Sequence, residues 1–226
     1  MEVLDDRSKS RREVERLEDP PVAKSLFGDV RWAWLWLILR VYLGWQWLQA
    51  GLGKIGNPAW TGDNAGAAIT GFVQGALQRA AGERPDVQGW YAWFLENIVL
   101  PNARLWSFLV TYGEILVGIG LILGAFTGIA AFFGSIMNAS YLLAGTVSTN
   151  PILFAIATWL VLAWKVGGWW GLDRWLLPAL GTPWRPGLIF RKQAERGPLH
   201  AERTGHGEIP VTGRQDMSEE EDEGLR

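Results

Sequence analysis

The chain has 226 residues and a formal net charge of −2, a balance that gives no reason to expect a nucleic-acid partner. It contains no cysteine, which excludes disulfides, thiol relays, iron–sulfur clusters and thiolate zinc sites within the chain. The two histidines, His200 and His206, lie outside the apolar stretches, and this position excludes a bis-histidine haem within a bilayer. We therefore expect no metal site and no covalent cofactor.

Hydropathy divides the chain into three parts. Residues 1–30 form a charged N-terminal tail, residues 31–181 an apolar middle, and residues 182–226 a polar tail that we expect to be disordered. The middle is predicted to be an all-α integral membrane domain, a bundle of four transmembrane helices. Each of its spans approaches the ~20 residues that a helix needs to cross ~30 Å of hydrocarbon, the last one being short. The spans are residues 32–53, 104–124, 128–147 and 151–166.

Positive residues predict the orientation of this bundle. Arginine and lysine are frequent before span one and again after span four, and cytoplasmic segments of membrane proteins carry an excess of both. Both termini of this multi-pass protein are therefore predicted to be cytoplasmic. Residues 54–103 then form one long external loop, in which Trp90 to Leu100 has the composition of an interfacial helix ended by Pro101.

Two of the apolar spans carry a lone charge far from their ends. Arg40 lies in span one and Glu114 in span two, and such charges rarely occur in a bilayer without a partner or a chemical role. Counted from opposite faces at ~1.5 Å per residue, Arg40 is about 12 Å deep and Glu114 about 15 Å deep. We therefore predict that the two side chains pair. Asn138 in span three falls at a similar level.

Small and polar residues follow one face of each of these three helices. Such residues let helices in lipid approach closely and form hydrogen bonds between them. The bundle is thus predicted to have a polar middle layer, and two interpretations of it stand: a structural network that fixes the packing, or a working site for protons or a quinone head. The faces are Arg40, Gly44, Trp47, Gly51 and Lys54; Ser107, Thr111, Glu114, Gly118 and Ala125; and Ala131, Gly134 or Ser135, Asn138, Tyr141 and Gly145.

The residues beyond span four receive no functional assignment. Asp173 and Arg174 are predicted to form a local surface pair, and Lys165 to extend its ammonium group to the lipid headgroups. The chain has no phosphate loop, nucleophile elbow or metal-ligand spacing, so the sequence does not support a hydrolase or a nucleotide-binding protein.

Five ordered blocks of sequence carry a resemblance to a known family. They are LRVYLGWQWLQAGLGK from Leu39, NPAW from Asn57, GWYAWFLENIVLPN from Gly89, YGEILVGIGLILGAFTGIAAFFGSIMNASYLLAGTVSTNP from Tyr112 and GLDRWLLPALG from Gly171. Together they resemble the DoxX family of small bacterial membrane proteins. The resemblance implies a location in the bacterial plasma membrane. The wider group includes a membrane subunit of thiosulfate:quinone oxidoreductase as well as relatives regarded as assembly or chaperone-like proteins.

Three functions from different classes follow from these observations. In the first, the chain is a quinone-binding subunit of a redox complex, with Arg40, Glu114 and Asn138 as catalytic residues at the quinone head. Trp47 and Tyr141 contact the same head. Because the chain has no electron-carrying cofactor of its own, this subunit needs a periplasmic or membrane redox partner docked on the external loop.

The two alternatives make no use of quinone. A non-catalytic membrane scaffold or assembly factor would use the charged layer to set the geometry of the bundle. A small transporter would need several copies, and hence a homo-oligomer, to form a pathway from four-span chains. Membrane lipid is an expected partner in all three cases.

Overall fold

A computed structural model describes residues 19–182 and 185–189. The described residues fall into two compact units, the first ending at Pro178 and the second beginning at Ala179. In the described part of the second unit, β1 (Gly181–Thr182) and β2 (Arg185–Pro186) pair antiparallel, with Gly181 opposite Pro186. The predictions for residues 1–18 and for most of the polar C-terminal tail lie outside the described residues.

Four helices lie at the positions of the four predicted spans, with ends that differ from the prediction by up to four residues. They are α2 (Ala33–Leu52), α5 (Ala103–Leu123), α6 (Thr127–Leu143) and α7 (Asn150–Leu162). Helix α2 packs mainly on α5, and α6 packs mainly on α7. Contacts between α5 and α6 join the two pairs. One continuous described helix, Gly89–Leu123, is long and apolar enough to cross a membrane, whereas Thr127–Leu143 and Asn150–Leu162 are shorter apolar helices. The predicted helical class is therefore confirmed.

Glycines bring the backbones of α2 and α5 into contact. A Cβ added to Gly118 would lie 2.6 Å from the backbone nitrogen of Leu48, and one added to Gly51 would lie 2.9 Å from that of Ile115. Gly44 likewise meets Gly118 and Leu121. This is the close approach through small residues that helices in lipid use. The contacts also fix the antiparallel register: the end of α2, at Gly51, lies beside the middle of α5, at Ile115, so the first half of α5 extends beyond α2. We name the end of the bundle where α5 begins the outer end and the opposite one the inner end.

The external loop of the prediction is a folded cap at the outer end. Its helix α3 (Ala67–Ala80) was not predicted; Ile69, Val73 and Ala76 form its buried face, at helical spacing. The Arg79 guanidinium donates hydrogen bonds of 3.1 and 2.8 Å to the carbonyl oxygen of Ala144, and the Tyr91 hydroxyl one of 2.9 Å to that of Ser140. The outer cap, residues 54–102, is thus tied to the end of α6.

The prediction that Pro101 ends the interfacial helix is wrong. Helix α4 (Gly89–Phe94) continues through a π-helical turn, Leu95–Val99, and a 3₁₀ turn, Leu100–Asn102, into α5. The π-helical turn supplies a hydrogen bond from the Leu100 amide to the Leu95 carbonyl, and Pro101, which has no amide hydrogen, falls in the first positions of the 3₁₀ turn, where none is required. The π-helical and 3₁₀ turns thus accommodate Pro101 without breaking the helix.

The inner end begins with helix α1 (Pro21–Gly28) and a 3₁₀ turn, Val30–Trp32. Asp29 caps that turn through the amide of Arg31, and the hydrogen bonds from Arg31 hold the pKa of the Asp29 carboxyl below its usual value. The Trp36 indole donates a hydrogen bond of 2.8 Å to the Leu26 carbonyl, which ties α1 to α2. The inner end is completed by α8 (Trp164–Gly167) and α9 (Asp173–Leu180).

Candidate functional site

Polar and charged side chains are buried at two levels of the bundle. In a helical core that is otherwise apolar, burying such groups costs free energy unless they are paired. They therefore indicate candidate functional sites. Glu114 lies toward the outer end with Ser107 and Thr111, whereas Arg40, Thr127 and Asp173 lie toward the inner end, and Asn138 lies between the two groups. The buried polar side chains of the described residues are Arg40, Ser107, Thr111, Glu114, Thr127, Asn138 and Asp173.

Glu114 is held through both of its carboxylate oxygens. The ammonium group of Lys54 donates to Oε2 at 2.5 Å, and the Tyr141 hydroxyl donates to Oε1 at 3.0 Å. The Lys54 side chain is 16% exposed and that of Glu114 is 3% exposed, so the pair leads from the outer surface into the bundle. The Trp60 ring of the outer cap lies 4.8 Å from Lys54 Nζ. These charge-assisted hydrogen bonds join α5 and α6 to the residue two positions beyond α2.

The predicted pair of Arg40 and Glu114 is therefore wrong. The predicted depths of Arg40 and Glu114 assumed that the start of α2 and the end of α5 lie at the same membrane face. The glycine contacts show instead that α2 begins well beyond the end of α5, which places Arg40 level with Gly124. Gly124 is ten residues from Glu114, or about 15 Å along the helix. Lys54, on the same predicted face as Arg40, is the cation that reaches the carboxylate.

Arg40 is buried at the inner end in a space left by two glycines. A Cβ on either Gly124 or Gly171 would overlap with its guanidinium group. Arg40 Nη2 donates a hydrogen bond of 3.4 Å to the Trp170 carbonyl, while Nε and Nη1 have no hydrogen-bond partner among the described residues. Asp173 supplies the opposite charge that acts on it. The position of Arg40 thus separates it from the other predicted site residues.

Asp173 caps the start of α6 and is not half of a surface pair. Its carboxylate accepts hydrogen bonds from the backbone amides of Phe126 at 2.6 Å and Thr127 at 2.8 Å. Asp173 is 3% exposed, and the positive end of the helix dipole favours a carboxylate at this position. Arg174 lies instead over the Trp169 ring. The surface-pair prediction was wrong because the amides that Asp173 caps precede it by more than forty residues.

Asn138 and Trp47 are buried with unused hydrogen-bonding groups. Neither the amide nitrogen nor the amide oxygen of Asn138 has a partner among the described residues, and the same holds for the indole nitrogen of Trp47. A Cβ added to Gly134 would lie 3.1 Å from that indole nitrogen, so Trp47 packs on α6 one turn before Asn138. Tyr141 follows three residues later on the same helical face. Because buried polar groups are nearly always satisfied, these groups point to a polar partner.

The predicted residues thus fall into two places. Glu114 and Tyr141 are in direct contact, and Asn138 and Trp47 lie on the faces that lead to them, whereas Arg40 belongs to the inner end. Lys54 was missed as a site residue, although the sequence places it on the α2 face that carries Trp47 and Gly51. We name the outer group of residues the outer site; it consists of Trp47, Lys54, Glu114, Asn138 and Tyr141.

The fold has three features of a helical membrane protein. They are backbone contacts through glycine, a continuous apolar helix and a buried polar site. The chain belongs to the DoxD family, whose model, described as the TQO small subunit DoxD, matches residues 35–185. This is a membrane family related to DoxX, so the predicted resemblance is confirmed. The matched range includes every residue of the outer site. No curated protein matches the chain, and no solved structure does.

Proposed function

We propose that the chain is the membrane subunit of a quinone-linked oxidoreductase and that the outer site binds the quinone head. The observation that carries this proposal is that buried polar groups of Asn138 and Trp47 have no partner in the part of the chain that the structure describes. Both lie on helical faces that lead to Glu114, whose carboxylate accepts hydrogen bonds from Lys54 and Tyr141. The family supplies the class of reaction, since its description is that of a small subunit of TQO. The scaffold and transporter alternatives give these unpartnered groups no role.

The donors and acceptors of the outer site suit both redox forms of a quinone. The indole N–H of Trp47 and the amide N–H of Asn138 can donate to a carbonyl oxygen, and the amide oxygen of Asn138 can accept from a hydroxyl group. A quinone presents carbonyl oxygens, and a quinol presents hydroxyl groups. Asn138 therefore fits a ligand that changes between the two, and Trp47 offers an aromatic face beside it.

Glu114 stands where protons are exchanged with the ligand. Reduction of a quinone to a quinol takes up two electrons and two protons. Tyr141 donates to one oxygen of Glu114 and Lys54 to the other, and the Lys54 side chain is the more exposed member of the pair. In this relay the Tyr141 hydroxyl turns to the ligand, gives it its own proton and takes one from Glu114; Glu114 is reprotonated by Lys54, and Lys54 takes up a proton from the outer end.

The electrons come from a partner protein. The chain has no cysteine, so it cannot hold an iron–sulfur cluster through thiolates, and no group of the outer site carries electrons by itself. In our proposal α2, α5, α6 and α7 cross the plasma membrane with both termini in the cytoplasm, as the positive residues predict. The outer cap then faces the periplasm and offers the docking surface for a redox partner, near the proton entry at Lys54.

Quinone binding by purified protein tests this proposal. Wild-type protein in lipid nanodiscs is titrated with decylubiquinone, and bound quinone is measured after separation. Asn138→Leu should weaken binding about tenfold, because about 1.4 kcal/mol corresponds to a factor of ten and each lost hydrogen bond contributes about 1 kcal/mol. The matched control is Asn97→Leu, which alters an exposed asparagine of the cap outside the outer site. Equal binding by the wild type and Asn138→Leu would refute the assignment.

A further inference from the structure

A large cleft lies at the inner end, away from the outer site. Its volume is about 1020 Å³, and its walls are α1 with the turn that follows on one side and the junction of α7 and α8 on the other. The lining residues combine aromatic and aliphatic side chains with both signs of charge. The cleft is separate from the proposed quinone site, so any role that it has is independent of the proposed function.

The charged residues of the cleft favour an anion. Lys24, Arg31 and Lys165 line it together with Asp19 and Asp29, which leaves one positive charge in excess. Arg31 is paired with Asp29 at 2.7 Å, whereas Lys24 and Lys165 form no ion pair within the described part of the chain. These two lysines lie on opposite walls, one on α1 and the other on α8. An anionic group bound in the cleft would thus meet a cation on each wall.

Apart from Ser25, the remaining lining is apolar, and it includes Leu162 at the end of α7. Phe27 and Val30 form one wall, and Leu162 and Trp164 form the other. Leu162 is 56% exposed and Val30 is 42% exposed, so apolar area is available for a ligand. Lys165 Nζ lies 5.5 Å from the Trp164 ring, which places a cation directly above this apolar wall. A free phosphate ion would leave the apolar part of the cleft unused.

The α1 wall is fixed in place by contacts with α2. The Trp32 indole donates a hydrogen bond of 3.2 Å to Ser25 Oγ, and the Trp36 indole donates to the Leu26 carbonyl. The rings of Phe27 and Trp36 are 5.4 Å apart. A wall held in this way is formed before any ligand arrives, which reduces the entropy that binding must overcome.

We propose that this cleft binds an anionic phospholipid. The phosphate lies between Lys24 and Lys165, and the acyl chains run along Leu162 and the adjoining surface of α7. Basic pockets at the ends of membrane helices have the chemistry that anionic headgroups require, and lysine side chains extend to the level of those headgroups. The ligand class is therefore a diacyl lipid with net negative charge, as distinct from a zwitterionic lipid or a free anion.

Native mass spectrometry of the full chain in detergent tests the proposal with dioleoylphosphatidylglycerol and dioleoylphosphatidylcholine. We expect the wild type to retain phosphatidylglycerol in preference to phosphatidylcholine. Lys24→Gln combined with Lys165→Gln should remove this preference, with a loss of about fivefold for each lysine. The matched control is Arg84→Gln, which removes an exposed positive charge from the outer cap.

Three results would overturn the proposal. The first is equal retention of the two lipids by the wild type, and the second is an unchanged preference in the double variant. The third is displacement of phosphatidylglycerol by millimolar inorganic phosphate, which would identify a simple ion site. If the double variant does not fold, as judged by its circular dichroism, the single Lys165→Gln variant replaces it, and an unchanged preference there counts against the proposal in the same way.

Discussion

At the scale of the residue, the Glu114 carboxylate decides what the bundle can do. It is almost fully buried, yet Lys54 and Tyr141 satisfy both of its oxygens. Asn138 and Trp47 differ from it, since their buried polar atoms have no partner in the part of the chain that the structure describes. A purely structural network would satisfy its own members, as the Glu114 cluster does. In our proposal the Lys54–Glu114 pair therefore holds the bundle together as well as relaying protons, and Asn138 and Trp47 bind the ligand.

Lys54→Met should destabilise the protein by about 3 kcal/mol, because it leaves the Glu114 carboxylate buried without its cation. The measurement is the free energy of unfolding in mild detergent. Adding Glu114→Gln to Lys54→Met removes the orphaned charge and should recover most of the loss. If the losses of unfolding free energy from the two substitutions instead add, Lys54 and Glu114 are not coupled and their ion pair does not stabilise the protein.

Asp173→Asn tests the cap at the inner end. The carboxylate accepts two backbone hydrogen bonds at the start of α6, and a neutral amide accepts less strongly and loses the interaction with the helix dipole. We expect a loss of about 1 kcal/mol of unfolding free energy. Asp63→Asn, in an exposed part of the outer cap, serves as the control and should leave stability unchanged. A similar loss in both variants would show that charge in general, and not the cap, is responsible.

At the scale of the element, the α2–α5 contact sets the register on which the site depends. Gly44, Gly51 and Gly118 let the two backbones meet, and this contact brings Lys54 to Glu114 and carries Arg40 past the end of α5. Hydropathy and turn residues predicted the four helices within a few residues of their ends. They could not predict the register, because depth counted along each helix says nothing about how far one helix slides past another.

Other elements escaped prediction for reasons of the same kind. Helix α3 has a narrow buried face, Ile69, Val73 and Ala76, within a segment rich in alanine and glycine, so its hydropathy resembles that of a loop. The role of Asp173 depends on backbone amides that are distant in sequence. The outer site was partly predicted, since Glu114, Asn138, Trp47 and Tyr141 share the faces that helical periodicity defines.

Gly118→Leu should separate α2 from α5. A side chain at this position meets the backbone of Leu48, and overpacking of this kind costs roughly 1–3 kcal/mol. Thermal unfolding in detergent measures the effect. Gly71→Leu is the matched control, since a Cβ at Gly71 on α3 has no neighbour within 4 Å. Equal unfolding temperatures of the two variants would contradict the close contact of α2 and α5.

At the scale of the whole molecule, the fold places different chemistry at its two ends. The outer end holds the folded cap, Lys54 and the polar site, while the inner end holds Arg40, the capped start of α6 and the basic cleft. Membrane insertion in the orientation predicted from the positive residues puts the first set in the periplasm and the second in the cytoplasm. In our proposal the redox partner therefore meets the outer end of the bundle and not the inner end.

Cysteine labelling tests this orientation, and the absence of native cysteine makes every introduced one unambiguous. Asn64→Cys, in the outer cap, should react with an impermeant maleimide in intact cells. Gln193→Cys, in the C-terminal tail, should react after the cells are permeabilised. Labelling of Gln193→Cys in intact cells would show that the C-terminus is periplasmic and would reverse the proposed topology.

The helix from Gly89 to Leu123 passes through Pro101 without a break, and at ~1.5 Å per residue its 35 residues extend for about 50 Å. In our proposal this helix crosses the membrane, where hydrocarbon covers about 30 Å of its length and leaves roughly 20 Å outside. The protruding part displays Trp90 and Trp93, which are 63% and 59% exposed, and the embedded part carries Glu114. A redox partner docked on these tryptophans, as we propose, would contact the same continuous helix that carries Glu114.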